Sequence, residues 1–104
     1  NYAEVIDMLV YKALYKKMMD DLKDAGMWIE WAGKMKKENP EEAEYFLKSA
    51  EYRLEHSYPE TKSIFTKLCE NNDKEKESLC MNELIHDEFE EWHNELMNRL
   101  KKHM

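Results

Sequence analysis

Residues that turn or break a backbone are scarce in this chain: two glycines, Gly26 and Gly33, and two prolines, Pro40 and Pro59, stand in 104 residues. So little punctuation excludes a fold of many hairpins, which needs Gly, Pro, Asn or Asp at each bend. Long apolar runs are missing too. The longest, Met8 to Tyr11, has four residues, against the ~20 of a membrane-spanning helix. Asp7 and Lys12 bracket it, so it reads as neither a membrane helix nor a signal peptide. Only two cysteines occur, Cys69 and Cys80. Without Cys-x-x-Cys spacing or a secretory leader they read as reduced, packed groups, a disulfide across a turn being the alternative. The expectation is a soluble cytoplasmic protein with one helical-bundle domain over residues 1–104.

Basic excess is also lacking. Net charge is −7, with seven acids and seven bases in residues 1–38, seven and four in 39–72, and nine and five in 73–104. Direct nucleic-acid binding, which draws its free energy from a basic surface displacing counterions, is therefore disfavoured. A basic protein surface is the natural partner for such a chain.

What the chain has in quantity is helix-forming Glu, Lys, Leu, Met and Ala. Met8, Tyr11, Tyr15, Met18, Leu22, Ala25, Ile29 and Ala32 recur in alternating steps of three and four, the spacing that stacks side chains on one helix face. The stripe keeps its phase through Gly26. One helix is predicted from Tyr2 or Ala3 to the lysines at 34, 36 and 37, with a turn at Gly26 as the alternative. Val5, Ile6, Leu9, Val10, Ala13, Leu14, Trp28, Trp31 and Met35 lie off the stripe. Apolarity around so much of the circumference implies burial on a second side, between helices or in a homodimer.

Asn39-Pro40-Glu41-Glu42 marks the next start: proline suits a first helical turn, Asn39 can cap, and Glu42 holds the capping-box position. Ala43, Leu47, Ala50 and Leu54 then repeat, and the phase continues through Ser57, Thr61, Ile64 and Leu68. A helix kinked near Pro59 and reaching about Glu70 fits this pattern. Asn71-Asn72-Asp73 reads as a turn. A third helix is expected from about Lys74 to Lys102, with Ile85, Phe89, Trp92, Leu96 and Leu100 inward. The predicted fold is all-α, an antiparallel up-down-up bundle of three long helices.

Catalytic signatures are few. The chain has no Gly-rich phosphate loop, no Gly-x-Ser-x-Gly and no His-Glu-x-x-His, so no enzyme and no cofactor is expected. Two Glu-x-x-His steps, Glu83 to His86 and Glu90 to His93, resemble the ligand pattern of ferritin-like di-iron proteins and form the metal-binding alternative. The two histidines stand about 10.5 Å apart along a helix, too far to share one ion. The stronger feature is acidic. No Lys or Arg falls between Lys76 and Arg99, while Glu83, Asp87, Glu88, Glu91 and Glu95 do. Like charges three and four apart repel by a few tenths of a kcal/mol per pair, so this ridge is a candidate for binding a basic groove, an ordinary solvated face being the alternative. Trp28, Trp31, Tyr45 and Tyr52 are expected to pack within the bundle, with a role as partner anchors as the alternative.

The segment NPEEAEYFLKSAEYRLEHSYPET, residues 39–61, and the Lys-, Glu- and Asn-rich style resemble small helical proteins encoded by phages and mobile elements of low-GC Gram-positive bacteria. Acidic members of this size include anti-CRISPR proteins. The resemblance implies a stoichiometric inhibitor whose acidic helix occupies a basic nucleic-acid-binding channel of a CRISPR effector nuclease. A self-associating helical scaffold is the remaining alternative.

Overall fold

The computed structural model describes residues 2–70 and 83–103, apart from the side chains of residues 3, 4, 7, 8, 69, 70 and 83–87. The helices are α1 (Tyr2–Met35), α2 (Pro40–Tyr52), a π-helical segment (Arg53–Ser57), α3 (Tyr58–Glu70) and α4 (Glu83–His103). Among the described residues there is no strand, and no helix is long and apolar enough to cross a membrane. The expected turn at 71–73, the start of the third helix, Ile85 and the Cys69–Cys80 question lie outside the described residues.

Helix α1 runs unbroken through Gly26. Its 34 residues account for about 50 Å at 1.5 Å per residue, nearly the full 55 Å length of the molecule. The apolar stripe is the core seam: Tyr11, Met18, Leu22, Ala25, Ile29 and Ala32 are buried, and Tyr15 packs against them half-buried. A Cβ on Gly26 would stand 3.3 Å from Leu96 Cδ2, so glycine serves here to let α4 approach.

The connection from α1 to α2 follows from the Asn39-Pro40 step. Asn39 N–H donates to the Met35 carbonyl at 2.8 Å, closing α1. The Asn39 side-chain oxygen then accepts the Glu42 N–H at 3.2 Å, while its amide donates to the Glu42 carboxylate at 3.0 Å. The reciprocal capping box is thus closed through side chains.

Residues 40–70 form one continuous rod, because the backbone at Tyr52 and Tyr58 stays right-handed helical. The kink expected near Pro59 takes the form of the π segment just before it. Proline has no N–H, and its ring would press on the carbonyl four residues back. Widening the preceding turn relieves that contact, and Tyr58 N–H accordingly bonds to the Arg53 carbonyl, five residues back. The wider turn holds one residue more and redistributes the inward positions in part: Ser57 and Thr61 are buried and Leu68 packs against the core, as the spacing predicts. Ile64, expected inward, is 46% exposed, while Tyr58 and Phe65 are buried in its place.

Ring contacts fix the helix directions. Trp31 meets Phe46, and Tyr11 meets Phe65, so α1 and the 40–70 rod run in opposite senses. Tyr15 meets Phe89, and Gly26 lies against Leu96, so α4 runs alongside α1 in the same sense. Phe89, Leu96 and Leu100 are buried, with Trp92 half-buried beside them.

Candidate functional site

The π segment organises two polar clusters. On its α1 side stands Asp21, fully buried. Arg53 Nη1 donates to Asp21 Oδ1 at 2.7 Å and Ser57 Oγ donates to Oδ2 at 2.7 Å. Lys17 Nζ donates to Ser57 Oγ at 2.6 Å and Thr61 Oγ1 at 3.1 Å, and Thr61 Oγ1 donates to the Ser57 carbonyl at 2.9 Å. Arg53 also lies 3.3 Å from Asp24 and 5.2 Å above the Trp28 ring. A buried carboxylate is tolerable only with such partners, and here both oxygens have them. An open groove of about 610 Å³ over this cluster is lined by Lys16, Lys17, Asp20, Asp24, Tyr52 and Arg53, among others. Ser57 lines the floor of this groove, largely buried, with its hydroxyl held between Lys17 and Asp21.

The second cluster joins the π segment and α3 to α4. With Tyr58 N–H bonded to Arg53 and Pro59 lacking an N–H, the Leu54 carbonyl has no donor from the helix turn above it. His93 Nε2 fills the vacancy at 2.7 Å. A carbonyl can only accept, so this nitrogen carries the proton. The His93 ring stacks on Tyr58 at 4.6 Å between centroids. Glu90 accepts from Lys62 and, at 3.4 Å, from the Tyr58 hydroxyl. Burial pushes the Glu90 carboxyl up, but Lys62, His93 and Tyr58 outweigh it and leave it below its ordinary value. Burial, then the charge and hydrogen bond of Glu90, push the Tyr58 phenol well above its ordinary range.

These contacts place the sequence-predicted residues. Of the metal-binding alternative, Glu90 and His93 are engaged by the chain itself, and the side chains of Glu83 and His86 lie outside the described residues. Among the described residues, no three His, Cys, Asp or Glu side chains gather as a metal site. Of the acidic ridge, Glu88, Glu91 and Glu95 are exposed on α4. Glu95 accepts from Arg99 at 2.6 Å, whereas neither Glu88 nor Glu91 forms an ion pair among the described residues. The side chains of Glu83 and Asp87 are outside that set. The outward aromatics depart from expectation. Trp28 is half-buried, but Trp31, Tyr45 and Tyr52 are exposed on the α1–α2 face, with Phe46 touching both Trp31 and Tyr45.

The Asp21 cluster was not anticipated. Its signal was in the sequence, since Ser57 and Thr61 occupy seam positions on one helix and Asp21 flanks the seam of another. No protein-family model matches the chain, and no curated protein and no solved structure is significantly similar to it.

Proposed function

We propose that this chain is a non-enzymatic cytoplasmic inhibitor that lays the acidic face of α4 on a basic surface of a partner protein. The observation that carries the reading is the pair of exposed carboxylates Glu88 and Glu91, one turn apart on α4. Among the described residues neither has a Lys or Arg within ion-pair distance, whereas Glu90 and Glu95 of the same helix do. Three residues apart on one helix, they repel each other, and a cationic surface would relieve that repulsion. Complementary charge of this kind accelerates encounter and selects the partner. The partner class is the basic groove of a nucleic-acid-binding nuclease, a CRISPR effector being the member that the resemblance of residues 39–61 suggests.

The test is competition for target DNA. A guide-loaded effector nuclease is titrated with this chain, and DNA binding is followed at rising salt. Loss of DNA binding at stoichiometric amounts, reversed by salt, is the expected result. The Glu88→Lys, Glu91→Lys double variant, with helicity unchanged by circular dichroism, fails to compete. Competition that survives the double reversal removes the acidic face from the mechanism.

A further inference from the structure

The structure points to a second contact surface, independent of the acidic face: we infer that the first turns of α1 pair with the same turns of a second copy of this chain, antiparallel about a twofold axis. Tyr2, Val5, Ile6, Leu9 and Val10 are exposed, Tyr2 at 89% and Leu9 at 61%, and Ala13 beside them is exposed too. At 100° per residue these positions occupy the side of α1 away from the buried Tyr11 and Met18. The helix therefore carries two apolar faces, and its own bundle covers one of them.

Two features fit a second copy as the occupant. The first is the spacing. Positions 2, 5, 6, 9, 10 and 13 are separated by 3, 1, 3, 1 and 3, a series that reads the same in both directions. An isologous contact requires a surface complementary to itself under a twofold rotation, and an antiparallel helix pair centred between residues 7 and 8 supplies one. It sets Ile6 opposite Leu9 of the partner subunit, Val5 opposite Val10 of the partner subunit, and Tyr2 opposite Ala13 of the partner subunit, the largest side chain against the smallest. Lys16 and Lys17, exposed farther along α1, fall outside the overlap, and Lys12, exposed within it, lies about 90° around the helix from the centre of the face, at its edge.

The second feature is area. An exposed stripe of this composition offers on the order of 500 Å², near the upper end of what a lone soluble protein carries. Two stripes meeting bury about 1,000 Å², the lower bound for a specific interface. The contact is therefore expected to be a modest, concentration-dependent dimer.

The experiment is sedimentation equilibrium of the whole chain over micromolar to millimolar concentration, joined to disulfide trapping. The wild type is expected to pass from monomer to dimer across that range. Leu9→Glu is expected to weaken association by about 100-fold, the effect of a hot-spot change at the centre of an interface, with unchanged helicity because Leu9 is exposed in the folded chain. In a Cys69→Ser, Cys80→Ser background, mixing the Ile6→Cys and Leu9→Cys chains is expected to yield the mixed disulfide in preference to either homodimer. A wild type that stays monomeric at millimolar concentration overturns the proposal, as does a Leu9→Glu chain that dimerises undiminished. Preferential homodisulfides at both positions overturn the antiparallel register.

Discussion

His93 donates its Nε2–H to the Leu54 carbonyl at 2.7 Å, and that carbonyl is available because Pro59, five residues on, has no N–H to offer it. Sequence-local chemistry in the second rod is thereby tied to the placement of α4. His93→Phe keeps a ring to stack on Tyr58 but removes the donor, and is expected to destabilise the fold by about 1–3 kcal/mol, the cost of an unpaired buried carbonyl. Pro59→Ala restores an N–H at position 59. In that background the His93→Phe penalty should shrink by about 1 kcal/mol or more, a coupling measured by urea denaturation of the four chains. Purely additive effects would show that Pro59 and His93 do not share the Leu54 carbonyl.

Asp21 is the other point at which the π segment is fastened. Asp21→Asn keeps the shape but removes the charge facing Arg53 and Lys17. Both cations reach solvent, Arg53 being a third exposed and Lys17 about half. The expected loss is therefore about 1–3 kcal/mol, below the roughly 3–5 kcal/mol that follows when a fully buried pair is broken. Asp21→Leu should cost more than Asp21→Asn, because Ser57 then loses its acceptor as well. Equal thermal stability of the wild type and Asp21→Asn would show that the cluster contributes nothing net.

Much of this architecture is legible in the residues, and what escapes has a physical reason. The α1 seam and the Asn39-Pro40 boundary rest on local rules, periodicity and capping, that operate within a few residues. Pro59 announces a disturbance, but sequence does not say whether the helix answers by bending or by widening. That choice turns Ile64 outward and Phe65 inward, while Thr61 and Leu68 keep their inward places. The roles of Glu90 and His93 depend on α4 meeting a carbonyl 39 residues earlier, and no spacing within Glu-x-x-His encodes that meeting. The exposure of Glu88 and Glu91, by contrast, follows from their spacing relative to Phe89, Trp92 and Leu96.

The Glu90–Tyr58 cluster makes the stability of the fold depend on pH. Glu90 lies below its ordinary value of 4.5 in the folded chain. Its contribution to stability is therefore present above that value and is lost as pH falls through the folded one. Tyr58 is raised above its ordinary 10.0, so its contribution is present below that value and is lost as pH climbs past it. Glu90→Gln should be less stable than the wild type at neutral pH, and the gap should close as pH falls through the carboxylate range. In an alkaline titration followed by tyrosinate absorbance, Tyr58 should ionise late, with unfolding, and Tyr58→Phe should remove that late phase. A gap between Glu90→Gln and wild type that does not change with pH would place the effect in packing.

The two glycines of α1 should respond differently to the same substitution. Replacing a helical glycine with alanine gains about 1 kcal/mol of helix propensity. At both positions the new methyl meets a side-chain atom at 3.3 Å, Leu96 Cδ2 for Gly26 and His103 Cε1 for Gly33. Leu96 is buried in the core and closely packed, so it yields only by pushing its neighbours, and close-packed interiors resist such shifts. His103 is only half-buried, in the last turn of α4, and can swing aside. Gly33→Ala is therefore expected to stabilise by nearly the full propensity gain, while Gly26→Ala stays near neutral. In a Leu96→Ala background the obstruction is gone, and Gly26→Ala should recover the gain that Gly33→Ala shows directly. Thermal melts of the single and double variants decide the matter: full stabilisation by Gly26→Ala with Leu96 intact would mean that α1 and α4 do not need a glycine at their crossing.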